Sequence, residues 1–413
     1  MSVVISGWGL VAAAGCGAAA AERAFGEAQL PLREVPRDGL YHRAEGARLA
    51  ALVDDQAYQT LLPARVARRM SPPSRFAVVA AKLAMAEAGL EGQEGLDLSV
   101  VISTSFGPSS YTEELLRQIF HDSPAAASPF LFTEAVANAP AAQVALMLKA
   151  YGPNLTVTQR EAGPLFALDH GRLDLENGRA SKALVAAVDE MNPLLHAGLD
   201  RYGALAGSRR PRHGSPQDIE VARPFDRRRS GFVAAEGSTA LLLEKASEVL
   251  ARGRVPLARV DAFAAAFDPS GEVASYGREP VPTGRALARE LERQGVELER
   301  IDAIVSSAAG SRQGDAYEAH LLRAAWGERP LPPIFAPKAY AGSHGGALLG
   351  FACWLLAGGR PAPTPGFREL DPALGIVPYA GADLPAAPRL LVAAPAVGGG
   401  TAFQLLTAWG ATP

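Results

Sequence analysis

The strongest constraint on this chain is a rhythm in which short apolar, β-branched runs alternate with helix-spaced apolar residues. Strand-length runs stand at Val3–Gly7, Leu98–Thr104, Asn154–Thr158, Ala183–Val188 and Thr239–Glu244. They return at Leu257–Phe263, Ile301–Ser307 and Ile334–Ala336, and a pair at Leu390–Ala394 and Thr401–Leu406 closes the series. Runs without polar alternation read as strands covered on both faces, so the pattern predicts an α/β sheet flanked by helices. Between the runs, Phe76, Val79, Ala80, Leu83 and Glu87 share one helical face, which opens after Ser71-Pro72-Pro73-Ser74 and stops at Gly89. Further helices are expected at Asp315–Trp326 and Gly346–Leu356.

The rhythm occurs twice, which points to two duplicated halves, 1–248 and 249–413, with a seam near Glu248–Pro256. A chain of 413 residues is long for one simple core, which agrees with that division. Gly207–Val221, with Arg209, Arg210 and Arg212, reads as an exposed loop. A net charge of −3 gives no overall basic footprint for nucleic acid or an anionic membrane. The apolar N-terminus has no basic segment before it and is broken by Gly7, Gly9, Gly15 and Gly17, so a buried strand and glycine turn are expected rather than a signal peptide. Two cysteines, Cys16 and Cys353, supply neither a disulfide framework nor a thiolate metal site, and suit a reducing cytoplasm. The histidines lack metal-ligand spacing, and no phosphate loop or dinucleotide fingerprint is present, so no metal and no cofactor are expected.

Several segments, in order along the chain, resemble the β-ketoacyl synthases, the thiolase-fold condensing enzymes of fatty-acid and polyketide assembly. The most specific is Arg223-Pro224-Phe225-Asp226 with Gly231-Phe232-Val233 and Glu236-Gly237, similar to the RPFD…GFV..EG signature of that family. Supporting segments are Ser128–Phe132 with Asn138, Gly152–Asn154, Val185–Glu190, Asp315–Ala319, Pro337-Lys338 and Gly398–Thr401. The resemblance implies a five-layer αβαβα fold.

At the site the sequence departs from that pattern. A condensing enzyme needs a thiolate at a strand-to-helix turn, and imidazole donors where enolate charge develops. The position matching the nucleophilic cysteine is Glu161, in Val157-Thr158-Gln159-Arg160-Glu161-Ala162-Gly163-Pro164. The first histidine of the family, in the motif HGTST, falls at Ala308, and the second falls at Ser343, with His344 one step late. The phenylalanine on the malonyl side falls at Val397. Losing the nucleophile removes the covalent route itself.

The resemblance therefore implies a subunit inactive on its own in condensation, like the chain length factor of type II polyketide systems, which walls the acyl tunnel of an active partner. The implied partners are a catalytic ketosynthase subunit in a heterodimer, and an acyl carrier protein with its acyl or malonyl thioester. By resemblance, tunnel and interface residues fall on the helix carrying Tyr111, Leu115, Leu116 and Ile119, followed by Phe120, and on the loop Phe130–Asn138 with Phe132. An alternative is a malonyl-carrier-protein decarboxylase or a repurposed homodimeric acyltransferase using Glu161.

A carboxylate at a helix start is stabilised by free backbone N–H groups. Glu161 is accordingly expected to be a satisfied anion plugging the acyl pocket, paired with Arg160. The same resemblance implies a structural ion pair for Lys338, and Asp315 and Glu318 are expected to support it or to cap their helix. His344 reads as a surface or capping histidine, and Cys353 as core.

Overall fold

The computed structural model describes residues 2–37, 41–209 and 216–411. Its main strands are β1 Val3–Ala12, β2 Leu98–Ser103, β3 Asn154–Val157, β4 Lys182–Asp189, β5 Gly237–Lys245, β6 Ala258–Phe267, β7 Ala303–Ser306, β8 Ile334–Phe335, β9 Arg389–Pro395 and β10 Gly400–Ala408. The longer helices are α1 Pro72–Glu87, α2 Ser109–Arg117, α3 Ala139–Leu148, α4 Gly163–Glu176, α5 Pro193–Tyr202, α6 Pro280–Arg293, α7 Arg312–Trp326 and α8 Gly346–Leu356.

The ten strands, with a short hairpin partner at Gly15–Cys16, form one sheet in the order β8-β7-β9-β10-β6-β1-β5-β4-β2-β3. From its outer edge inward, each half follows one plan. In the first, β2 runs parallel to β3 and β4, after which β5 and β1 are added antiparallel. In the second, β7 runs parallel to β8 and β9, after which β10 and β6 are added antiparallel. The halves join where Val4 faces Arg259 and Ile5 faces Ala258 across β1 and β6.

Alternation along the strands sorts their side chains into three helix layers. Val100 and Ile102 of β2 pack on α1 and α3, while Val101 between them faces a central layer. Ile304 and Leu391 pack on α6 and α7, while Ala303, Val305 and Val392 face that same central layer from the other half. The central layer holds Leu165 and Leu168 of α4, and Leu348, Phe351 and Cys353 of α8. Outer helices, half-sheet, central helices, half-sheet and outer helices make the expected five-layer thiolase-like arrangement.

The helix expected at Gly346–Leu356 has those bounds, and Cys353 is fully buried within it. β1 runs five residues past its expected end because Gly7 and Gly9 lie within the strand, not at a turn. A Cβ at either position would sit 2.3 or 2.2 Å from the carbonyl oxygen of Ala84 or Ala80, so glycine lets α1 lie directly on β1. Glu87, the one charged residue of the apolar face of α1, accepts the Trp8 N–H at 3.3 Å. The segment expected as a loop at Phe130–Asn138 is instead largely a helix, Pro129–Ala135. Proline stands in its first turn and the Ser128 hydroxyl accepts the Leu131 N–H. Within the loop expected at Gly207–Val221, Pro216–Ile219 forms one helical turn, whereas Arg210, Arg212 and His213 lie outside the described residues. Among the described residues no helix is long and apolar enough to cross a membrane by itself.

Candidate functional site

The parallel strands of both halves deliver their following loops to one place, beyond the strand carboxyl ends, where ligands bind in open α/β sheets. Phe106 follows β2, Arg160 and Glu161 follow β3, Asn192 follows β4, Ser307 follows β7 and Lys338 follows β8. Together with α5 and the β9–β10 turn they line an open cleft of about 1180 Å³. Behind Glu161 lies a second hollow of only about 50 Å³, bounded by Asp189, Glu190, Lys338, Ser343 and His344. The first can hold a sizeable organic ligand, whereas the second has room for little more than water.

Glu161, Ala308 and Ser343, 182 positions apart at their extremes, do line the same cleft, together with Val397, Lys338 and Glu318. Glu161 sits on a tight turn, Arg160–Ala162, immediately before α4. Its carboxylate Oε2 accepts the Val397 backbone N–H at 3.2 Å, so its partner is the β9–β10 turn, not the N-terminus of α4. The expected pairing with Arg160 is not formed. The Arg160 guanidinium instead stacks over the Phe106 ring, 5.5 Å from its centroid, and Arg160 has a left-handed φ of 49°. Nor does Glu161 fill the cleft, since it stands on the wall between the open space and the small hollow.

Ala308 is buried and contributes no donor beyond its backbone N–H, which is bonded to Ser306 Oγ at 3.0 Å. Ser343 is half-buried and held through its N–H by the Val233 carbonyl at 2.8 Å. His344 is not a surface or capping residue. It is 3 % exposed, behind the wall, and neither ring nitrogen has a hydrogen-bond partner among the described residues. Burial, with the positive charge of Lys338 beside it, pushes its pKa down to about 3, so the ring is neutral at physiological pH.

Lys338 is buried, but no contact ion pair forms with it among the described residues. Its charge acts at longer range, opposing the rise in the Asp189 and Glu318 pKa values that burial causes. Glu318 accepts from Ser307 N–H at 3.1 Å and Ser307 Oγ at 3.2 Å, and burial pushes its carboxyl up to about 7. Asp315, raised by burial to about 6, accepts the Phe225 N–H at 2.8 Å and the Ala309 and Gly310 N–H groups at 3.2 Å. These two carboxylates therefore tie down the loop after β7. The cap of α7 is Ser311, whose hydroxyl accepts from Gly314 N–H.

Asp189 and Glu190 carry positioning work that sequence reasoning left unassigned. The Asp189 carboxylate accepts Ser105 N–H at 2.7 Å and Gly345 N–H at 2.8 Å, joining the loop before α2 to the loop that carries Ser343 and His344. Glu190 accepts from the hydroxyls of Ser109 and Ser110 at 2.7 and 2.9 Å, which fixes the start of α2. Two adjacent acids at the end of an apolar strand were the available signal.

The residues expected at the tunnel and interface lie together. Tyr111 donates to the Met70 carbonyl at 3.3 Å and packs against Phe130, with ring centroids 6.3 Å apart. Leu115 and Ile119 are half-buried, whereas Leu116 is 44 %, Phe120 79 % and Phe132 61 % exposed. No residue of α2 is fully buried. Of this set, Leu116 alone lines the cleft, and its exposed side chain together with those of Phe120, Phe130 and Phe132 makes up an apolar ridge. Among the described residues β3 is an outer edge of the sheet, bonded on one side only.

Comparison with known proteins agrees with this geometry. Residues 2–249 match the model of the β-ketoacyl synthase N-terminal domain. The chain is 29 % identical over 397 residues to an actinorhodin polyketide β-ketoacyl synthase 2 from Streptomyces coelicolor, covering 94 % of each. It is 31 % identical over 292 residues to a 3-oxoacyl-[acyl-carrier-protein] synthase 2 from Synechocystis sp., covering 68 % of this chain and 67 % of that one. Among solved structures it is similar to the ishigamide ketosynthase/chain length factor, with a TM-score of 0.85, 26 % identity and 99 % of each chain covered. A cleft walled by Glu161, Ala308 and Ser343 on a five-layer scaffold, with the matching family model spanning more than half of the residues, makes this chain a member of the β-ketoacyl synthase family.

Proposed function

We propose that this chain is the non-condensing, chain-length-factor-like subunit of a heterodimeric β-ketoacyl synthase in polyketide, polyene or related fatty-acyl assembly. The observation that carries the reading is Glu161. At the turn where condensation needs a thiolate there is a carboxylate, which stands on the cleft wall and accepts the Val397 N–H. The two further departures agree with it, since Ala308 and Ser343 offer no imidazole for developing enolate charge.

What the chain keeps also supports the reading. An exposed apolar ridge of Leu116, Phe120, Phe130 and Phe132 beside an open sheet edge is unusual on a monomer and suits a protein interface. In this proposal β3 continues the sheet into a catalytic ketosynthase subunit, and the ridge borders the acyl tunnel of that subunit. Acyl carrier protein delivers substrate to the partner, and Tyr111, Leu115, Leu116, Ile119 and Phe132 set the space available to the growing chain. Lys338 and Glu318 act as structural supports of the retained cleft.

The test is co-expression with a ketosynthase that carries the cysteine and both histidines. The expected product is a one-to-one complex that condenses malonyl units, whereas neither subunit does so by itself. A homodimer that ignores the ketosynthase and releases carbon dioxide from malonyl carrier protein would contradict the proposal.

A further inference from the structure

Helix α2 carries Tyr111, Leu115 and Leu116, yet none of its residues is fully buried. A helix usually takes its place from an apolar stripe sunk into a core, so one without it must be held by polar bonds. Glu190 fixes its start through Ser109 and Ser110. Past that start the node is Glu113, whose side chain is 17 % exposed. Its Oε1 accepts the Tyr41 hydroxyl at 2.6 Å, and its Oε2 accepts Asn192 Nδ2 at 3.1 Å. Arg117, one turn further on, donates to Oε1 at 3.1 Å and lies over the Tyr41 ring, 5.6 Å from its centroid.

Both outside partners of Glu113 are themselves tied to α5. Asn192 is its N-cap, with Oδ1 accepting the Leu195 N–H at 2.8 Å. The Tyr41 carbonyl accepts from Arg201 at 2.8 Å. The next two residues continue the attachment: His42 and His196 meet ring nitrogen to ring nitrogen at 3.1 Å, and Arg43 donates to Asp200 at 2.9 Å. One carboxylate thus joins α2 to α5 and to residues 41–43, and α2 cannot turn about its axis without breaking bonds to two other segments. Tyr111 and Leu115, four positions apart, share the face next to Glu113, and Leu116 follows it by three. We propose that Glu113 is a positioning residue: by holding Tyr41 and Asn192 it fixes the rotation of α2, and through it how far Tyr111, Leu115 and Leu116 reach into the space left for a growing chain. Glu113 acts through these side chains and touches no substrate. The inference rests on the reading of the chain as a chain-length-factor-like subunit.

Two readouts on the full chain test this. Hydrogen exchange of α2 amides in the isolated chain should rise on the order of ten-fold in Glu113→Ala and less in Tyr41→Phe, which removes a single hydroxyl. In the complex with a ketosynthase, Glu113→Ala should at least double the share of products that differ from the main one by an extender unit or more. Tyr41→Phe should shift the spectrum less and in the same direction, and Glu113→Gln, which keeps one acceptor oxygen, should recover most of the parent distribution. Glu114→Ala, which removes the neighbouring acid that accepts from Gln118, should change neither readout. A merely stabilising role would lower the melting temperature and leave product lengths as they were; that result in an intact complex would overturn the proposal. So would unchanged α2 exchange in Glu113→Ala, or an equal broadening of products by Glu114→Ala. If Glu113→Ala fails to fold, Tyr41→Phe decides by the same two readouts. If the unaltered chain forms no complex at all, the functional reading fails, and α2 exchange still decides whether Glu113 holds the helix.

Discussion

The floor of the cleft and the apolar ridge beside it lie on neighbouring elements, yet they differ in what they retain. The floor keeps its framework while its reactive groups are gone: Asp189, Asp315 and Glu318 still bind the backbone amides that shape it, around positions occupied by Glu161, Ala308 and Ser343. The ridge keeps large apolar side chains in the open, Phe120 and Phe132 most of all. Selection for stability alone maintains the first and not the second. In the proposed role, the contrast puts function at the surface rather than in the pocket.

The largest expected effect breaks the ridge. Replacing Phe120 and Phe132 together by Asp should weaken ketosynthase binding by about 2–4 kcal/mol, as for loss of interface anchors, while the melting temperature of the isolated chain hardly moves. An unchanged complex by analytical ultracentrifugation would separate the ridge from the interface. Next comes the framework. Asp189→Ala strips the Ser105 and Gly345 amides of a buried acceptor and should cost about 2–4 kcal/mol of stability in urea unfolding. A loss below the scatter of the measurement would show that the floor is not held in this way.

The floor should also reveal itself through pH. Glu318 titrates near 7 when folded, against a reference value of 4.5, so the folded state holds the extra proton between those values. Its contribution is present below the lower value and lost as pH rises through about 7. His344 has the opposite sign: its folded value near 3 lies below its reference value of 6.5, so its contribution is present above 6.5 and lost as pH falls toward 3. Glu318→Gln should therefore remove on the order of 2–3 kcal/mol of the fall in stability as pH rises from about 4.5 to about 7. Melts in the variant that kept the parent slope between pH 5 and 8 would contradict this assignment.

A smaller change sharpens the comparison from the ridge side: Tyr111→Ala or Leu115→Ala should lengthen the products of the assembled complex by one or more extender units, with assembly intact. Product length that stayed fixed would remove these residues from the tunnel. The smallest effect is expected from restoring sulfur alone. Glu161→Cys should leave the isolated chain without condensation activity, because Ala308 and Ser343 still supply no imidazole. Turnover by that single variant would show the lost histidines to be dispensable.

Much of the fold was legible because strands buried on both faces carry apolar runs with little polar alternation, as Val100–Ile102 does in β2 and Ala183–Val188 in β4. Where the reading stopped short, tertiary contact had overridden local preference. Gly7 and Gly9 look like breakers but are required by the close approach of α1, whereas the helix Pro129–Ala135 carries a local start signal in Ser128 and Pro129. At the site, residue types were legible and their partners were not. Glu161 and Val397 stand 236 positions apart, and nothing local announces their bond. Lys338 invited an ion pair that the fold replaces with longer-range charge, and His344 looked like a loop histidine because sequence does not show how deeply the loop is packed.

Intact-protein mass spectrometry of the co-purified complex, after incubation with acyl carrier protein bearing a growing chain, tests the central claim most directly. The account predicts an acyl adduct on the ketosynthase and an unmodified mass for this chain. An acyl group covalently attached to this chain would contradict it.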